Sequence, residues 1–480
     1  MSRSFDVPYP PAVVRAAVIE RARGPLVALA LMALLPALGT SIAHVGLPVL
    51  AVEFAAPFQT VQWVVIAYLL VVTALVVVAG RLGDLVGRKR LLLTGIAVFT
   101  VASIACGLVS SLPLLIAARA IQGLGAAAMM ALAMAMVGDA IPRQRIGRAM
   151  GVMGTMSAVG TALVPSLGGL LLSVFGWRAM FVAMVPIGVV AFAISARFLK
   201  ADHVAANRPP VPFDIAGMVM LAVALGMYSI AMTTIRGPLS WINGALLAAS
   251  ATAAFVFVLI EAKTTSPLVR IAILRDRALA SGFSSSALVS TVIMSTLVVG
   301  PFYVSRALGL EPALVGLVVA IGPVVAAVAA VPAGRLVDRH GAHRTMIAGL
   351  VGVAGGCVGL AALPVSAGIA GYVLPIVIIT AGYSLFQTSN NAAVMTNVAV
   401  ESRGVVSGLL NLSRNLGLVT GAAVMGAVFA SGARGTDIAI ADGAAVARGM
   451  HHVFTVASVL IVITLTIVSR SRTPVERAVG

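Results

Sequence analysis

Acidic residues are scarce in this chain: its 480 residues include 15 Asp and Glu against 32 Lys and Arg, a formal charge of +17. Charged residues of both signs reach only 10%, where a soluble domain carries roughly 25%, and an ordinary cytoplasmic enzyme is thereby excluded. Lysine is rarer still. Lys89, Lys200 and Lys263 are the only three, and none follows a glycine, so the chain contains no GxxxxGK[ST] phosphate loop and no Walker-type ATPase of its own. Cysteine amounts to Cys106 and Cys357. Both fall inside apolar runs, where buried thiols are expected rather than a disulfide framework.

What is abundant is apolar sequence, at 60% of residues and a mean hydropathy of +1.09. Residues free of Asp, Glu, Lys and Arg run from Gly24 to Val52, Phe54 to Gly80, Leu91 to Ala118, Ala149 to Trp177, Ala278 to Ser305 and Thr345 to Val400. A membrane span needs about 20 residues, so the chain reads as a polytopic membrane protein. Fourteen helices fit between residues 27 and 469, the first at 27–50 and the fifth at 147–173. The 56 uncharged residues before Glu401 must form two of them, since one helix would exceed about 80 Å at a rise of 1.5 Å per residue. Four arginines (Arg3, Arg15, Arg21 and Arg23) precede the first run, which is too long for a cleaved signal peptide and reads as a retained signal-anchor.

The position of the basic residues explains the charge. With the N-terminus cytoplasmic, 25 of them fall in inner segments and five in outer loops (Arg178, Arg236, Arg306, Arg434 and Arg448). This asymmetry orients the chain in a cell inner (plasma) membrane with both termini cytoplasmic, and no nucleic-acid surface is needed to account for +17.

An internal repeat follows. Gly80-Arg81-Leu-Gly-Asp84-Leu-Val-Gly87-Arg88-Lys-Arg90 aligns with Gly334-Arg-Leu-Val-Asp338-Arg-His-Gly341-Ala-His-Arg344, six identities in eleven, eight helices apart. Gly147, Gly151 and Gly160 match Gly404, Gly408 and Gly417 at the same helix offset. Two six-helix bundles at 27–200 and 266–470 account for the offset, with two extra helices in a linker at 201–265, a cytoplasmic segment at 1–26 and a tail at 471–480. Transporters build two halves around a central site in this way.

These motifs resemble the major facilitator superfamily, and the fourteen-span arrangement is similar to its drug:proton antiporter subfamily of multidrug exporters. The loop sequence from Gly80 to Arg90 resembles the superfamily's motif between helices 2 and 3. Leu115 to Ala127, with Arg119, Gln122, Gly123 and Gly125, resembles its helix-4 motif. Gly160, Pro165, Gly168 and Gly169 resemble the antiporter motif of helix 5, although Val164 stands where a glycine is expected. Trp177-Arg178 with Phe181 and Pro186, and Phe213-Asp214 with Gly217, are similar to further landmarks. The resemblance implies an all-α fold of two six-helix bundles plus a two-helix insertion, no enzyme activity and no cofactor. It also implies small-molecule substrates, exchange of protons, and efflux across the bilayer.

Each candidate residue also has a physical reading. Gly80 and Gly87 permit a tight corner and close backbone approach, and Asp84 can sit near a helix N-terminus or accept from Arg81 or Arg88, forming a charged latch at the inner mouth; the other reading of Arg88, Lys89 and Arg90 is positive-inside placement alone. Arg119 interrupts a 48-residue uncharged stretch, at an insertion cost of roughly 2.5–3.5 kcal/mol. Its face of Gln122, Gly123 and Ala126 suits either a watery cavity or a hydrogen-bonded bundle interior. Arg414, flanked by Asn411 and Asn415 in helix 13, poses the same choice. Helix 5 carries Ser157 on a small-residue side, read either as an inter-bundle face or as packing.

In helix 1 the subfamily's aspartate and asparagine positions hold Gly39 and His44. None of the fifteen acids lies mid-span, which leaves His44 as the embedded group that titrates near neutrality, at the depth of Arg119. One reading couples the two in proton transfer with Arg414; the other makes His44 a neutral hydrogen-bonded group. Ser384, Gln387, Asn390 and Asn391 stripe helix 12 and contact substrate or join helices; Tyr68 is a further cavity candidate, while Trp63 suits an interfacial belt. His451-His452 point to different faces, and no metal site is expected.

The expected activity is secondary active export of small hydrophobic compounds by alternating access. The missing helix-1 acid favours neutral or anionic substrates over cations. An uptake carrier or uniporter of the same fold is the alternative, ahead of a non-transporting sensor or scaffold. Nothing in the sequence names the substrate, the oligomeric state or a periplasmic adaptor protein.

Overall fold

The computed structural model describes residues 12–56, 58–61, 63–141, 145–163, 167–199, 214–234, 240–264, 267–396, 398–432 and 442–470. Among them the only regular structure is helical. The first bundle holds α1 (Ala12–Glu53), α2 (Trp63–Val86), α3 (Arg88–Leu108), α4 (Leu112–Ala140), α5 (Ile146–Leu163, continued by Gly169–Phe175) and α6 (Met184–Phe198, preceded by Trp177–Val182). A hairpin of α7 (Ile215–Thr234) and α8 (Trp241–Lys263) follows. The second bundle holds α9 (Arg277–Phe302), α10 (Pro312–His340), α11 (Ala342–Ala362), α12 (Gly368–Thr396), α13 (Arg403–Gly432) and α14 (Gly443–Arg470). Thirteen helices of the described residues are long and apolar enough to cross a membrane.

Two differences from the sequence reading stand out. The first helix starts at Ala12, inside the segment expected to precede it, because residues 12–24 are rich in Ala and Arg, which favour a helix, and hold no proline. The fifth helix is described in two pieces, since residues 164–166, with Pro165, lie outside the described set. The tail at 471–480, the whole of the linker before Asp214 and residues 1–11 also lie outside it.

Side chains bury into two cores that follow the bundles. One joins α1 to α6 and extends over the adjoining ends of α12 and α13; the other fills the second bundle. Large apolar side chains such as Leu170, Phe175, Phe255, Leu317 and Leu374 stay on the outside. An exterior of this kind suits lipid.

The most extensive contacts between the bundles are those of α2 with α13 and α5 with α10, at equivalent positions of the repeat, and α4 also packs on α13 and α5 on α12. Glycine makes each approach possible. A Cβ on Gly80 would collide with the Gly404 carbonyl, and one on Gly147 would stand 2.8 Å from the Gly334 carbonyl oxygen. The hairpin leans on α2 and α13, and the Tyr228 hydroxyl hydrogen-bonds Thr420. Within it, Ser250 donates to the Ala224 carbonyl at 2.7 Å and Asn243 Nδ2 to the Ala231 carbonyl at 2.9 Å.

Candidate functional site between the bundles

The loop motif turns a corner in both halves. Gly87 (φ 114°) separates α2 from α3, and Gly341 (φ 82°) separates α10 from α11; an L side chain is strained at such φ values. The corner places an aspartate at the end of each preceding helix, aimed at the other bundle.

Asp84 accepts hydrogen bonds from the backbone N–H groups of Gly404 and Val405, both at 3.1 Å. Asp338 accepts from Gly147 and Arg148 at 2.9 and 3.0 Å. Each carboxylate therefore caps the first turn of a helix in the opposite bundle, α13 or α5, where free N–H donors and the helix dipole favour negative charge. The two caps are not equal. Arg88 donates to Asp84 Oδ1 at 3.0 and 2.8 Å from Nε and Nη2, and Nη2 also reaches the Val400 carbonyl across the interface. The Asp84 side chain is 1% exposed. In the second copy the residue aligned with Arg88 is Ala342, and Asp338 is exposed.

Beside the first latch lies an acidic pair. Glu261 at the end of α8 is buried and accepts from the N–H groups of Leu268 and Val269 at 3.2 and 3.3 Å. Asp214 accepts from Gly217 N–H at 2.7 Å, and a Cβ on Gly217 would sit 2.5 Å from Asp214 Oδ2 and 2.7 Å from Glu261 Oε1. Arg81 lies within electrostatic reach of Glu261 as well as of Asp84.

Arg119 lies deep in the first bundle and is 0% exposed. Its Nε donates to the Val64 carbonyl at 2.9 Å, Nη2 to the Gly39 carbonyl at 2.9 Å and Nη1 to Gln122 Oε1. The guanidinium carbon lies 4.3 Å from the Tyr68 ring centre and 5.8 Å from that of Phe181. Gln122 in turn donates to Ser103 at 2.6 Å, and the Tyr68 hydroxyl donates to the Pro36 carbonyl at 3.0 Å. Tyr68 and Gln122 thus belong to a buried network tying α1, α2, α3 and α4 together, with no carboxylate in it. The His44 side chain lies outside the described set.

Arg414 has a different setting. It is half-buried on α13, and its Nη2 reaches Asn411 Oδ1 only at 3.4 Å. Asn411 is buried and spends its amide on the carbonyls of Met130, across the bundle interface, and Ser407, both at 3.0 Å. Tyr383 of α12, hydrogen-bonded to the Ser290 side chain, lies within electrostatic reach of Arg414.

The remaining stripe on α12 divides. Asn390 is buried and ties α12 to α9 through the Gly282 carbonyl at 3.1 Å, and Ser384 is buried; Gln387 and Asn391 are half-buried. Ser157 is half-buried on α5, with its carbonyl accepting from Thr161 at 3.2 Å. Gly168 and Gly169 begin the second piece of α5. Sequence reasoning placed Asp84 at a helix N-terminus or on an arginine, and the structure shows both; it missed that the helix belongs to the opposite bundle, and it missed the Val400 carbonyl, Tyr383 and Ser290. The matched glycines at the starts of helices 5 and 13 were the available signal for the former.

Comparison with known proteins agrees with this architecture. The model of the Major Facilitator Superfamily matches residues 29–422. The chain is 31% identical to the multidrug resistance protein Stp of Mycobacterium tuberculosis (strain H37Rv), over 81% of this chain and 72% of that protein. It is 29% identical to the riboflavin transporter RibZ of Clostridioides difficile (strain 630), over 81% and 84%. Among solved structures, the human organic anion transporter MFSD10 (TETRAN) superposes with a TM-score of 0.64 at 15% identity, covering 96% of this chain and 100% of that one. With a family model spanning most of its length and the mirrored bundles that fold requires, the chain belongs to the Major Facilitator Superfamily, as a multi-pass membrane transporter and not an enzyme.

Proposed function

We propose that this transporter exports small hydrophobic compounds by alternating access, in exchange for protons, from the inner (plasma) membrane with both termini cytoplasmic. The reading rests above all on the exchanged caps: Asp84 on α13 and Asp338 on α5 hold one end of the bundle interface shut. These bonds are made only while that end is closed, so they bias a two-state element that alternating access requires. Several relatives are named for drug resistance, Stp and the efflux pump LfrA of Mycolicibacterium smegmatis among them, and efflux follows for this chain by analogy with them.

For the proton, we propose His44 as the exchanging group, because its ordinary pKa lies near neutral pH and the network around Arg119 holds no acid. Gly80, Gly87, Gly334 and Gly341 shape the gate, while Gln387, Asn391 and Ser157 supply polar contacts to substrate. A sensitivity panel of toxic compounds, run with and without the chain expressed, tests the reading. Resistance that disappears in Asp84→Asn supports it; unchanged sensitivity to every compound counts against it.

Uptake of a metabolite is the second reading, favoured by the likeness to a riboflavin transporter. The direction of flux in proteoliposomes under an imposed pH gradient separates the two.

A further inference from the structure

The two mid-span arginines look alike in sequence and differ in structure. Arg119 has no exposed surface, three oxygen acceptors and a tyrosine ring beneath it, so its charge is fully occupied inside one bundle. Among the described residues Arg414 has a buried Nε with no acceptor and a single hydrogen bond, whose 3.4 Å is far longer than the roughly 2.7–2.9 Å of a charge-assisted pair.

No described carboxylate is placed to neutralise Arg414. Asp84 and Asp338 cap the opposite bundle's helices, Asp276 caps α9, Asp442 caps the start of α14, and Glu261 and Asp214 hold backbone N–H groups in and beside the hairpin. A guanidinium retained at this depth with no counter-charge carries an electrostatic cost that an arriving anion removes.

Orientation follows from spacing. Asn411 bonds the Met130 carbonyl of the other bundle, and Arg414 is three residues further along α13, hence on the same helix face. Around it stand half-buried Asn415 and, from α12, Tyr383. Gln387 lies one turn beyond Tyr383. A planar fork with amide and hydroxyl groups at its rim matches a carboxylate or sulfonate.

We infer that Arg414 is the receptor for the anionic group of an amphipathic monoanion, whose apolar body occupies the interface between the bundles. This deepens the exporter reading and rests on it: the transported class consists of organic anions, with Asn411 setting the guanidinium's position and Asn415 and Gln387 supplying donors to the anion's remaining oxygens.

The test is a charge series on one apolar body. Pyrenebutyrate, its methyl ester and a pyrenyl quaternary ammonium are titrated against the purified full chain in nanodiscs, read by energy transfer from tryptophan to pyrene. The expected result is saturable binding of pyrenebutyrate at least about tenfold tighter than of the other two, the equivalent of about 1.4 kcal/mol. Arg414→Gln is expected to abolish the preference, and Arg414→Lys to retain part of it. A natural chain that prefers the ammonium, does not discriminate or does not bind pyrenebutyrate overturns the assignment. So does an Arg414→Gln protein with an unchanged unfolding midpoint that still discriminates. If that variant does not fold, the series on the natural chain decides alone. A chain that confers resistance in cells yet shows no charge preference loses this inference and keeps the exporter reading; one that binds pyrenebutyrate but confers no resistance does the reverse.

Discussion

Arg119 Nη2 donates to the backbone carbonyl of Gly39 at 2.9 Å. Gly39 occupies the position where the antiporter pattern carries an aspartate. A main-chain oxygen of the first helix therefore meets the guanidinium at the position where the pattern carries an acid, and it cannot take up or release a proton.

Replacing Arg119 by Leu leaves the buried Gln122 amide oxygen without its donor and takes the second donor from the helical Gly39 and Val64 carbonyls. An orphaned buried acceptor costs roughly 1–3 kcal/mol, and the packing of the guanidinium on Tyr68 is lost as well. The unfolding midpoint of purified Arg119→Leu is expected to fall by several degrees, and every substrate is expected to lose transport to a similar extent. A variant with native thermal stability and a selective loss of one substrate would place Arg119 in the binding site instead.

Gly39→Asp tests the missing acid directly. The added Cβ stands 3.0 Å from the Tyr68 hydroxyl and 3.1 Å from the Phe99 ring, so those side chains must give slightly to admit it. A carboxylate there neutralises Arg119, and removing one net positive charge at about 10 Å relieves about 1.7 kcal/mol of repulsion on a bound cation at an effective dielectric of 20. Export of a cationic dye is expected to rise about tenfold, measured as dye loss from preloaded cells against the natural chain. No gain in a stably folded protein would show that the acid's place in the pattern is not about cations.

The two latches differ in strength, and their variants are expected to differ in the same order. Asp84→Asn removes an ion pair and two charge-assisted caps from a buried site, while Asp338→Asn removes two caps from an exposed one. Hydrogen bonds to charged groups contribute roughly 1.5–3 kcal/mol, and exposed charges contribute less. Spin labels across the loop-motif end are expected to report a larger open population in Asp84→Asn. Equal shifts in the two variants would mean that Arg88 adds nothing.

Cys106 and Cys357 are both 0% exposed. A membrane-permeant maleimide is expected to leave the folded chain unlabelled and to modify both thiols after denaturation in detergent, counted by mass spectrometry. Rapid native labelling of Cys357 would contradict the packing of α11 in the second core.

Much of this fold can be read from charge alone. Uncharged runs and their Gly and Pro breaks locate the helices, because a backbone in lipid must satisfy its own hydrogen bonds. The repeat from Gly80 to Arg90 and from Gly334 to Arg344 predicts two equivalent bundles. The site was less legible. Tyr68 and Gln122 occupy polar faces of apolar helices, and helical spacing cannot tell the inside of one bundle from the gap between two. The same ambiguity joined Arg119 to Arg414, which only their hydrogen-bond partners separate. Asp84 was recognisable as an unneeded acid in a basic loop, and Arg88 as its neighbour, but its backbone N–H partners lie 320 residues away, and only the glycine that admits them, Gly404, marks the place in the sequence.

The inequality of the two caps decides where the gate can be reached. Where α2 meets α13, a buried carboxylate, an arginine and a carbonyl are threaded through one another; where α5 meets α10, an exposed carboxylate relies on two backbone N–H groups and the charges of Arg145 and Arg148. Opening that end breaks both caps, and water reaches the one at Asp338 while it is still made. An inhibitor that competes for Asp338 therefore meets a bond already open to solvent, whereas one aimed at Asp84 must first unpack a buried ion pair.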